Sequence, residues 1–291
     1  MADFRSGFVG IFGKPNAGKS TLLNALLGEK LAIVSPKAQT TRNKILGVLT
    51  TPAYQLVFSD TPGILESRYK LHDKMMQELS AVRQGTDVVL FIVDPKDDPA
   101  TIEPLVQQLK TKQPVLLLVN KTDKYPAQKI TDRITSYNNM PCVDEVMSIS
   151  ALEKKELDAL LEAIVRRLPE MPPYYDEDTL TDKPMRFFVA ELIREKLFYE
   201  LDDELPYHSA VLVRQYEEKN TLTKIVADIV VSRDSQKFIL IGKGGSMIKK
   251  IGQQAREDIE KFIDRKVFLE LHVKVRKDWR NNELYLKEYG Y

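Results

Sequence analysis

One cysteine, Cys142, stands among 291 residues, which excludes an internal disulfide and any zinc site built on several thiolates. The histidines number three, His72, His208 and His272, too few and too scattered for a metal cluster, and they are read as non-catalytic. No apolar run approaches the roughly 18 residues of a membrane-spanning helix, and the opening MADFRSGFVGIFG passes into a strand pattern without a charged-then-apolar leader. A reducing, cytoplasmic setting is expected, for a chain neither secreted nor membrane-spanning. An excess of one charge is also missing: 43 Lys+Arg against 42 Asp+Glu leave a net +1. The whole chain therefore lacks the signature of a nucleic-acid or membrane protein, and any basic face must be local. What is present, 43% apolar and 29% charged residues, excludes disorder for most of the chain. The length exceeds one average domain, so two domains or one large one are expected.

From Gly7 to about Leu168, short apolar runs alternate with helix-period patterns, the rhythm of a parallel α/β sheet covered on both faces. Phe8 to Phe12, Gln55 to Phe58, Val88 to Val93, Val115 to Val119 and Val146 to Ile149 read as buried strands, with Asn43 to Leu49 as an edge strand. Lys19 to Leu27, Tyr69 to Gln84, Ile102 to Lys110 and Lys154 to Leu168 read as helices. Residues 169–184, PEMPPYYDEDTLTDKP, hold four prolines and five acidic residues without apolar periodicity, and read as an inter-domain linker. Beyond it the rhythm becomes α+β: a helix from Met185 to Glu200, strands near 209–216 and 223–232, a helix from Met247 to Ile263 and a last strand. In that strand Val267, Leu269, Leu271, Val273 and Val275 alternate with Phe268, Glu270, His272, Lys274 and Arg276. The expected domains are 1–168, a linker at 169–184, and 185–291 with a C-terminal tail. Residues 191–218 carry 3 basic and 8 acidic side chains, whereas 233–280 carry 13 and 7, so the neutral total hides a basic face.

Residues 13–20, GKPNAGKS, follow an apolar strand and open a helical pattern, the context a phosphate-binding loop requires. Gly13 and Gly18 let the backbone wrap around phosphate oxygens beside a helix N-terminus, with Lys14, Pro15, Asn16 and Ala17 between them. Lys19 would neutralise the β- and γ-phosphates and Ser20 would coordinate Mg²⁺. DTPG, Asp60, Thr61, Pro62 and Gly63, lies at the end of the strand Gln55 to Ser59. There Asp60 can hold Mg²⁺ through water and the Gly63 N–H can reach a γ-phosphate. NKTD, Asn120, Lys121, Thr122 and Asp123, is the base-choosing element. The Asp123 carboxylate can accept from the ring N–H and the exocyclic amine of guanine, whereas adenine would leave it unpaired. Asn120 is placed on the other edge of the base, the Lys121 stem over its ring with the ammonium bracing the phosphate loop, and Ser150 with Ala151 would offer a backbone N–H to the guanine oxygen. AQTTR, residues 38–42, supplies a threonine that completes the Mg²⁺ shell while a γ-phosphate is present, Thr41 preferred over Thr40.

Together GKPNAGKS, QTTRN, DTPG, NKTD and the Ser150-Ala151 pair, followed by an α+β region with GKGG, resemble the Era family of bacterial GTPases over nearly the whole chain. The resemblance implies a Ras-like α/β P-loop GTPase domain followed by a smaller α+β type II KH domain. It also implies a role in maturing the small ribosomal subunit by binding the 3′ end of its RNA, from a monomer with peripheral contact to the cytoplasmic face of the inner membrane. Ala17 departs from the valine more usual in such loops, without consequence for contacts made by backbone. Ile64 stands where many small GTPases place a glutamine that orients the attacking water. An aliphatic side chain cannot do so, and slow intrinsic hydrolysis is expected, with Lys19, Thr41, Gly63 and Asn16 as the catalytic candidates. Asn16 sits where related potassium-activated GTPases ligate K⁺ beside the phosphates; it equally suits a plain turn residue.

In the second domain IGKGGSMIKKIG, residues 241–252, puts a GxxG before a helix whose Ile248, Ile251, Ala255, Ile259 and Phe262 share one face. In the order helix, strand, strand, GxxG, helix, strand it matches a KH fold, whose GxxG loop clamps about four nucleotides of single-stranded RNA. Gly242, Gly244 and Gly245 would admit the sugar-phosphate backbone, Lys243, Lys249 and Lys250 would supply charge, and Ile241 and Ile248 would meet bases. HVKVRKDWR, residues 272–280, either extends the RNA path or touches an anionic surface, or carries a core-capping Trp279 among solvated neighbours. A signalling GTPase whose second domain binds a protein is the competing reading of the whole.

Overall fold

Strands buried on both faces must be apolar at every position, and two runs meet that condition: β4 (Val88–Val93) and β5 (Val115–Val119) are buried throughout. The computed structural model, which describes residues 4–35, 37, 40–63 and 69–291, divides into two compact units. One is drawn from 1–32, 41–66 and 75–182, the other from 33–40, 67–74 and 183–291. In the first, β4 and β5 lie near the centre of a six-stranded sheet. It is completed by β1 (Arg5–Gly13), β2 (Ile45–Thr50), β3 (Tyr54–Asp60) and β6 (Glu145–Ser148), in the order β2-β3-β1-β4-β5-β6. Neighbours run parallel except β2, which pairs antiparallel with β3 at the edge. The parallel order brings the carboxyl ends of β1, β3, β4 and β5 to one side, where α/β sheets bind ligands.

The connecting helices are α1 (Lys19–Leu27), α2 (Lys70–Gln84), α3 (Pro99–Gln108), α4 (Ala127–Asn138) and α5 (Leu157–Val165). Helix α3 starts three residues before its apolar period, because Asp98 caps it by accepting from the Ala100 N–H and Pro99 takes the first position. Helix α4 is absent from the sequence reading: in AQKITDRITSYN only Ile130, Ile134 and Tyr137 face the core, a narrow stripe among polar residues. Helix α5 starts after Lys154 and Glu156, whose φ angles of 54° and 60° break the pattern read from Lys154.

The proline-rich stretch after Leu168 stays on the first unit up to Asp182. Gln55 Oε1 accepts from the Tyr174 and Tyr175 N–H groups at 2.7 and 3.0 Å, Val48 N–H donates to Leu180 O at 2.8 Å, and the Thr181 hydroxyl donates to Leu46 O at 2.7 Å. The stretch thereby covers part of the edge that β2 would otherwise present unpaired.

The second unit contains α6 (Met185–Glu200), β7 (Ala210–Glu218), β8 (Thr223–Val231), α7 (Asp234–Ile241), α8 (Ser246–Ile263), β9 (Val267–Val275) and α9 (Glu283–Glu288). Its sheet runs β7-β8-β9, with β7 antiparallel and β9 parallel to β8. The buried stripe Ile251, Ala255 and Ile259 of α8 joins Val189, Ile193 and Leu197 of α6 and the inward residues of β8 and β9 in one core. Helix α7 escapes the periodic reading because its run Phe238, Ile239, Leu240 and Ile241 buries only Leu240 fully. Of the alternatives for residues 272–280, the structure takes the core-capping one for Trp279. Its ring is fully buried, its indole N–H donates to His208 O at 3.0 Å, and it meets the Tyr289 ring edge-on at 5.7 Å. Among the described residues no helix is long and apolar enough to cross a membrane.

Candidate nucleotide site and nucleic-acid groove

The loop between β1 and α1 takes a shape that side chains forbid. Gly13 has φ 145° and a Cβ there would lie 2.4 Å from Ile92 O; Gly18 has φ 108° and its Cβ would lie 2.3 Å from Asn120 Nδ2. Lys19, the first residue of α1, is 6% exposed, and its ammonium donates to Gly13 O at 3.2 Å and Lys14 O at 2.9 Å, closing the loop across its mouth. Burial pushes its pKa down to about 8 against the opposing pull of Asp60, so the group keeps its charge at neutral pH. Helix α1 has no side-chain cap and no acidic residue in its first turn, which leaves its N-terminal N–H groups and positive dipole end for an anion. Lys14 turns outward to Asp97 at 3.5 Å and Thr101 at 3.1 Å, Asn16 is exposed with φ 61°, and Ala17 is buried.

The three residues expected around Mg²⁺ meet. The Ser20 hydroxyl donates to Asp60 Oδ2 at 2.7 Å and lies 2.9 Å from the Thr41 hydroxyl, which reaches the same oxygen at 3.3 Å. Thr40 donates instead to Lys37 O at 2.8 Å. Asp60 is fully buried and its Oδ1 has no hydrogen-bond partner. Burial raises its pKa, opposed by Lys19, by the Ser20 and Thr41 hydroxyls and by the Thr61 N–H. A buried carboxylate oxygen without a donor, beside two hydroxyls, is the hard oxygen set that suits Mg²⁺. Next along, the Thr61 hydroxyl donates to Ile11 O at 2.7 Å. A Cβ on Gly63 would lie 2.9 Å from Pro15 N, so the two loops touch backbone to backbone and a side chain at Gly63 has no room. Ile64, Ala38 and Gln39 lie outside the described residues.

At the carboxyl end of β5, Lys121 takes φ 63° and opens a tight 3₁₀ turn over Thr122–Lys124. The Thr122 hydroxyl donates to Ile149 O at 3.0 Å, and Asp123 Oδ1 accepts from the Ser150 hydroxyl at 2.6 Å. The Lys121 ammonium donates to Asn16 O at 2.6 Å, the brace anticipated from sequence. The Asn120 amide donates to Ala17 O at 3.0 Å and accepts from the Ala151 N–H at 3.0 Å, and the Ser150 N–H donates to Lys155 O at 3.3 Å. Asn120 ties the phosphate loop to the Ser150-Ala151 loop, and the Ser150 hydroxyl orients Asp123. Two residues of this network were missed in sequence, Asp94 and Tyr125; an aspartate just past an apolar strand whose end faces the phosphate loop was the available signal.

In the second unit α7 ends at Gly242, and Gly242, Gly244 and Gly245 have φ 73°, 61° and 80°. A Cβ at Gly242 would meet Met247 at 2.8 Å, while nothing lies within 4 Å of one at Gly244 or Gly245. The loop is thus pinned at its first glycine and open at the other two, with Lys243 exposed beside them. Helix α8 begins without a side-chain cap or acidic residue in its first turn. Along α8 and β9 runs a groove of about 400 Å³ lined by Ile248, Lys249, Gly252, Gln253, Arg256, Leu269 and Leu271. Its walls are apolar with a cationic rim, suited to bases and phosphates together. Ile248 and Lys249 line it. Lys250 does not: it faces α6 and pairs with Glu200 at 2.5 Å, because one further residue turns the side chain about 100° around the helix. Ile241 is half-buried and outside the groove lining. Arg256, Leu269 and Leu271 were missed as groove residues; the i, i+4, i+8 series Ile248, Gly252 and Arg256 was their signal.

The first unit is a P-loop GTPase domain and the second a KH domain: residues 8–121 match the family of 50S ribosome-binding GTPases and residues 204–280 the KH domain family. GTPase Era of Geotalea uraniireducens is 47% identical over 292 residues, spanning 99% of this chain and 98% of its own. GTPase Era of Clostridium botulinum strain Hall is 46% identical over 99% and 98%. A crystal structure of Era in complex with MgGDPNP and nucleotides 1506–1542 of 16S ribosomal RNA superposes with TM-score 0.95 at 38% identity, over 99% of both chains. An Aquifex aeolicus Era variant bound to GDP·AlF₄⁻ gives TM-score 0.94 at 38% identity over the same shares. The chain belongs to the Era family of GTPases.

Proposed function

We propose that the chain binds GTP with Mg²⁺ in the first unit and hydrolyses it to GDP and phosphate. In the second unit it holds the single-stranded 3′ end of small-subunit ribosomal RNA, in the service of maturing that subunit. The observation that carries the reading is the convergence of motifs scattered from Gly13 to Ala151 on one end of one sheet, with Lys19, Ser20, Thr41 and Asp60 within bonding reach. The relative bound to both a GTP analogue and 16S ribosomal RNA supports the same ligands here, and the groove rimmed by Lys249 and Arg256 favours RNA over a protein partner.

In this scheme the ammonium of Lys19 leaves Gly13 O and Lys14 O for the β- and γ-phosphate oxygens, and the N–H groups of residues 13–20 surround them. Mg²⁺, held by Ser20, Thr41 and, through water, Asp60, offsets phosphate charge as water attacks and GDP departs. Thr41 is engaged while the γ-phosphate remains, so hydrolysis releases its hydroxyl. The Gly63 N–H faces the γ-phosphate, and the aliphatic residue 64 leaves attacking water without a polar guide, hence a slow turnover.

Base choice rests on Asp123. Asp123→Asn exchanges a double acceptor for an amide that pairs with xanthine, so GTP affinity should fall and XTP affinity rise, each by about a hundredfold for two bonds to a charged group. A nucleotide titration that leaves GTP binding unchanged removes Asp123 from the site.

A K⁺ ion at Asn16 would add a positive charge beside the β- and γ-phosphates, where no polar residue 64 assists. Replacing K⁺ by Na⁺ should then slow turnover, and Asn16→Ala should erase the difference. Equal rates of phosphate release in the two salts for the parent protein reject the cation and leave Asn16 a turn residue.

A further inference from the structure

Asp123 lies at the middle of the five-residue turn 121–125, and both ends of that turn are tied to one carboxylate. Asp94, just past β4 and 4% exposed, accepts from the Lys121 ammonium on Oδ2 at 3.0 Å, and from the Tyr125 hydroxyl on Oδ1 at 2.7 Å. The Lys96 N–H gives the carboxylate a third bond, on Oδ1 at 3.0 Å, and the Asp94 backbone N–H donates to Asp97 Oδ2 at 2.9 Å, so both carboxylate oxygens and the backbone behind them are held. From the same ammonium the chain of bonds continues to Asn16 O at 2.6 Å in the phosphate loop. We propose that Asp94 and Tyr125 are positioning residues for base selection: by gathering Lys121 and Tyr125 onto one fixed point, Asp94 sets where the Asp123 carboxylate meets a guanine edge. The proposal rests on Asp123 as the guanine-reading group.

The chemistry of the pair suits a permanent clamp. Burial works to raise the Asp94 pKa, but the bonds from Tyr125, the Lys96 N–H and Lys121 outweigh it and hold the carboxyl below its ordinary range. The bond to Asp94, with burial, pushes the Tyr125 hydroxyl up to about 12, so it remains a donor at neutral pH. The Lys129 ammonium covers the ring of Tyr125 at 4.4 Å and fixes its plane. Two hydrogen bonds to a guanine edge demand both distance and angle, and each weakens steeply once its angle is lost. The Thr122 and Ser150 hydroxyls hold the middle of the turn, and the Asp94 clamp adds closure at its two ends.

The test reads the ratio of GTP to ITP affinity, because ITP lacks the 2-amino group and offers Asp123 one donor in place of two. Competition against a fluorescent GDP, on the full chain, gives the ratio; thermal unfolding reports folding. Tyr125→Phe, which removes one oxygen and keeps the ring, should lower the ratio about threefold, and Asp94→Asn, which sets an amide against the Lys121 ammonium, about tenfold. A ratio equal to the parent's in Tyr125→Phe, whether or not affinities or melting change together, overturns the proposal even if Asp94→Asn fails to fold. Asp123→Asn guards the premise: it should abolish the preference for GTP over ITP. If it does not, the guanine-reading assignment fails and the proposal with it; if it does while Tyr125→Phe and Asp94→Asn keep the parent ratio, the proposal alone fails.

Discussion

Replacing Lys19 with alanine is expected to lower GTP affinity by about a hundred- to ten-thousandfold. Bonds to charged groups contribute about 1.5–3 kcal/mol each, and the Lys19 ammonium has two carbonyl partners in the loop that phosphate oxygens would replace. The ammonium is buried, so solvent screens the loss little. Lys14→Ala serves as the comparison. Its ammonium is turned to Asp97 and Thr101, partly exposed, and its removal should change affinity only a few-fold. Titration with GTP and Mg²⁺ measures both; a Lys19→Ala protein that binds within a few-fold of the parent would place the phosphates elsewhere.

The second large effect is expected at the GxxG loop. Lys243→Asp combined with Gly244→Asp sets two carboxylates where RNA phosphates are expected, and should weaken single-stranded RNA binding by at least about a hundredfold. The fold is expected to tolerate the pair. Gly244 has φ 61°, a region that aspartate enters more readily than most residues, and a Cβ there meets nothing within 4 Å. The core stripe of α8 is untouched. For the parent, affinity should fall with salt at a slope of about −0.7 per phosphate neutralised, and the variant's slope should flatten. GTP hydrolysis without RNA is the control for folding, since the groups named for it belong to the first unit. A variant that binds single-stranded RNA as tightly as the parent moves RNA out of this groove and brings the protein-binding GTPase reading forward.

Chemistry that needs contiguous backbone was legible in sequence. GKPNAGKS and GKGG announce themselves because their glycines are dictated by local turns, and β4 and β5 because a strand buried on both faces leaves no polar position. Contacts set by packing were not. Lys249 and Lys250 are neighbours in sequence, yet one lines the groove and the other answers Glu200 on α6, a difference fixed by the rotation of α8 on its core. Nor was the packing behind Asn120: its amide donates to Ala17 O, and a Cβ on Gly18 would lie 2.3 Å from it. Asp94 meets Lys121 and Tyr125 only because β4 and β5 are parallel neighbours whose ends align. Helices α4 and α7 stayed hidden because α4 turns only the narrow stripe Ile130, Ile134 and Tyr137 to the core and α7 buries only Gln236 and Leu240.

The central claim, one chain that carries GTP on one unit and the 3′ end of small-subunit RNA on the other, is tested most directly by ultraviolet crosslinking. The full chain, loaded with a non-hydrolysable GTP analogue, is crosslinked to small ribosomal subunits and mapped at base resolution on the RNA and by peptide on the protein. Crosslinks should be confined to unpaired nucleotides at the RNA 3′ end and to peptides carrying residues 242–256 and 269–271. Crosslinks absent from the 3′ end, or falling outside those peptides, would contradict that claim.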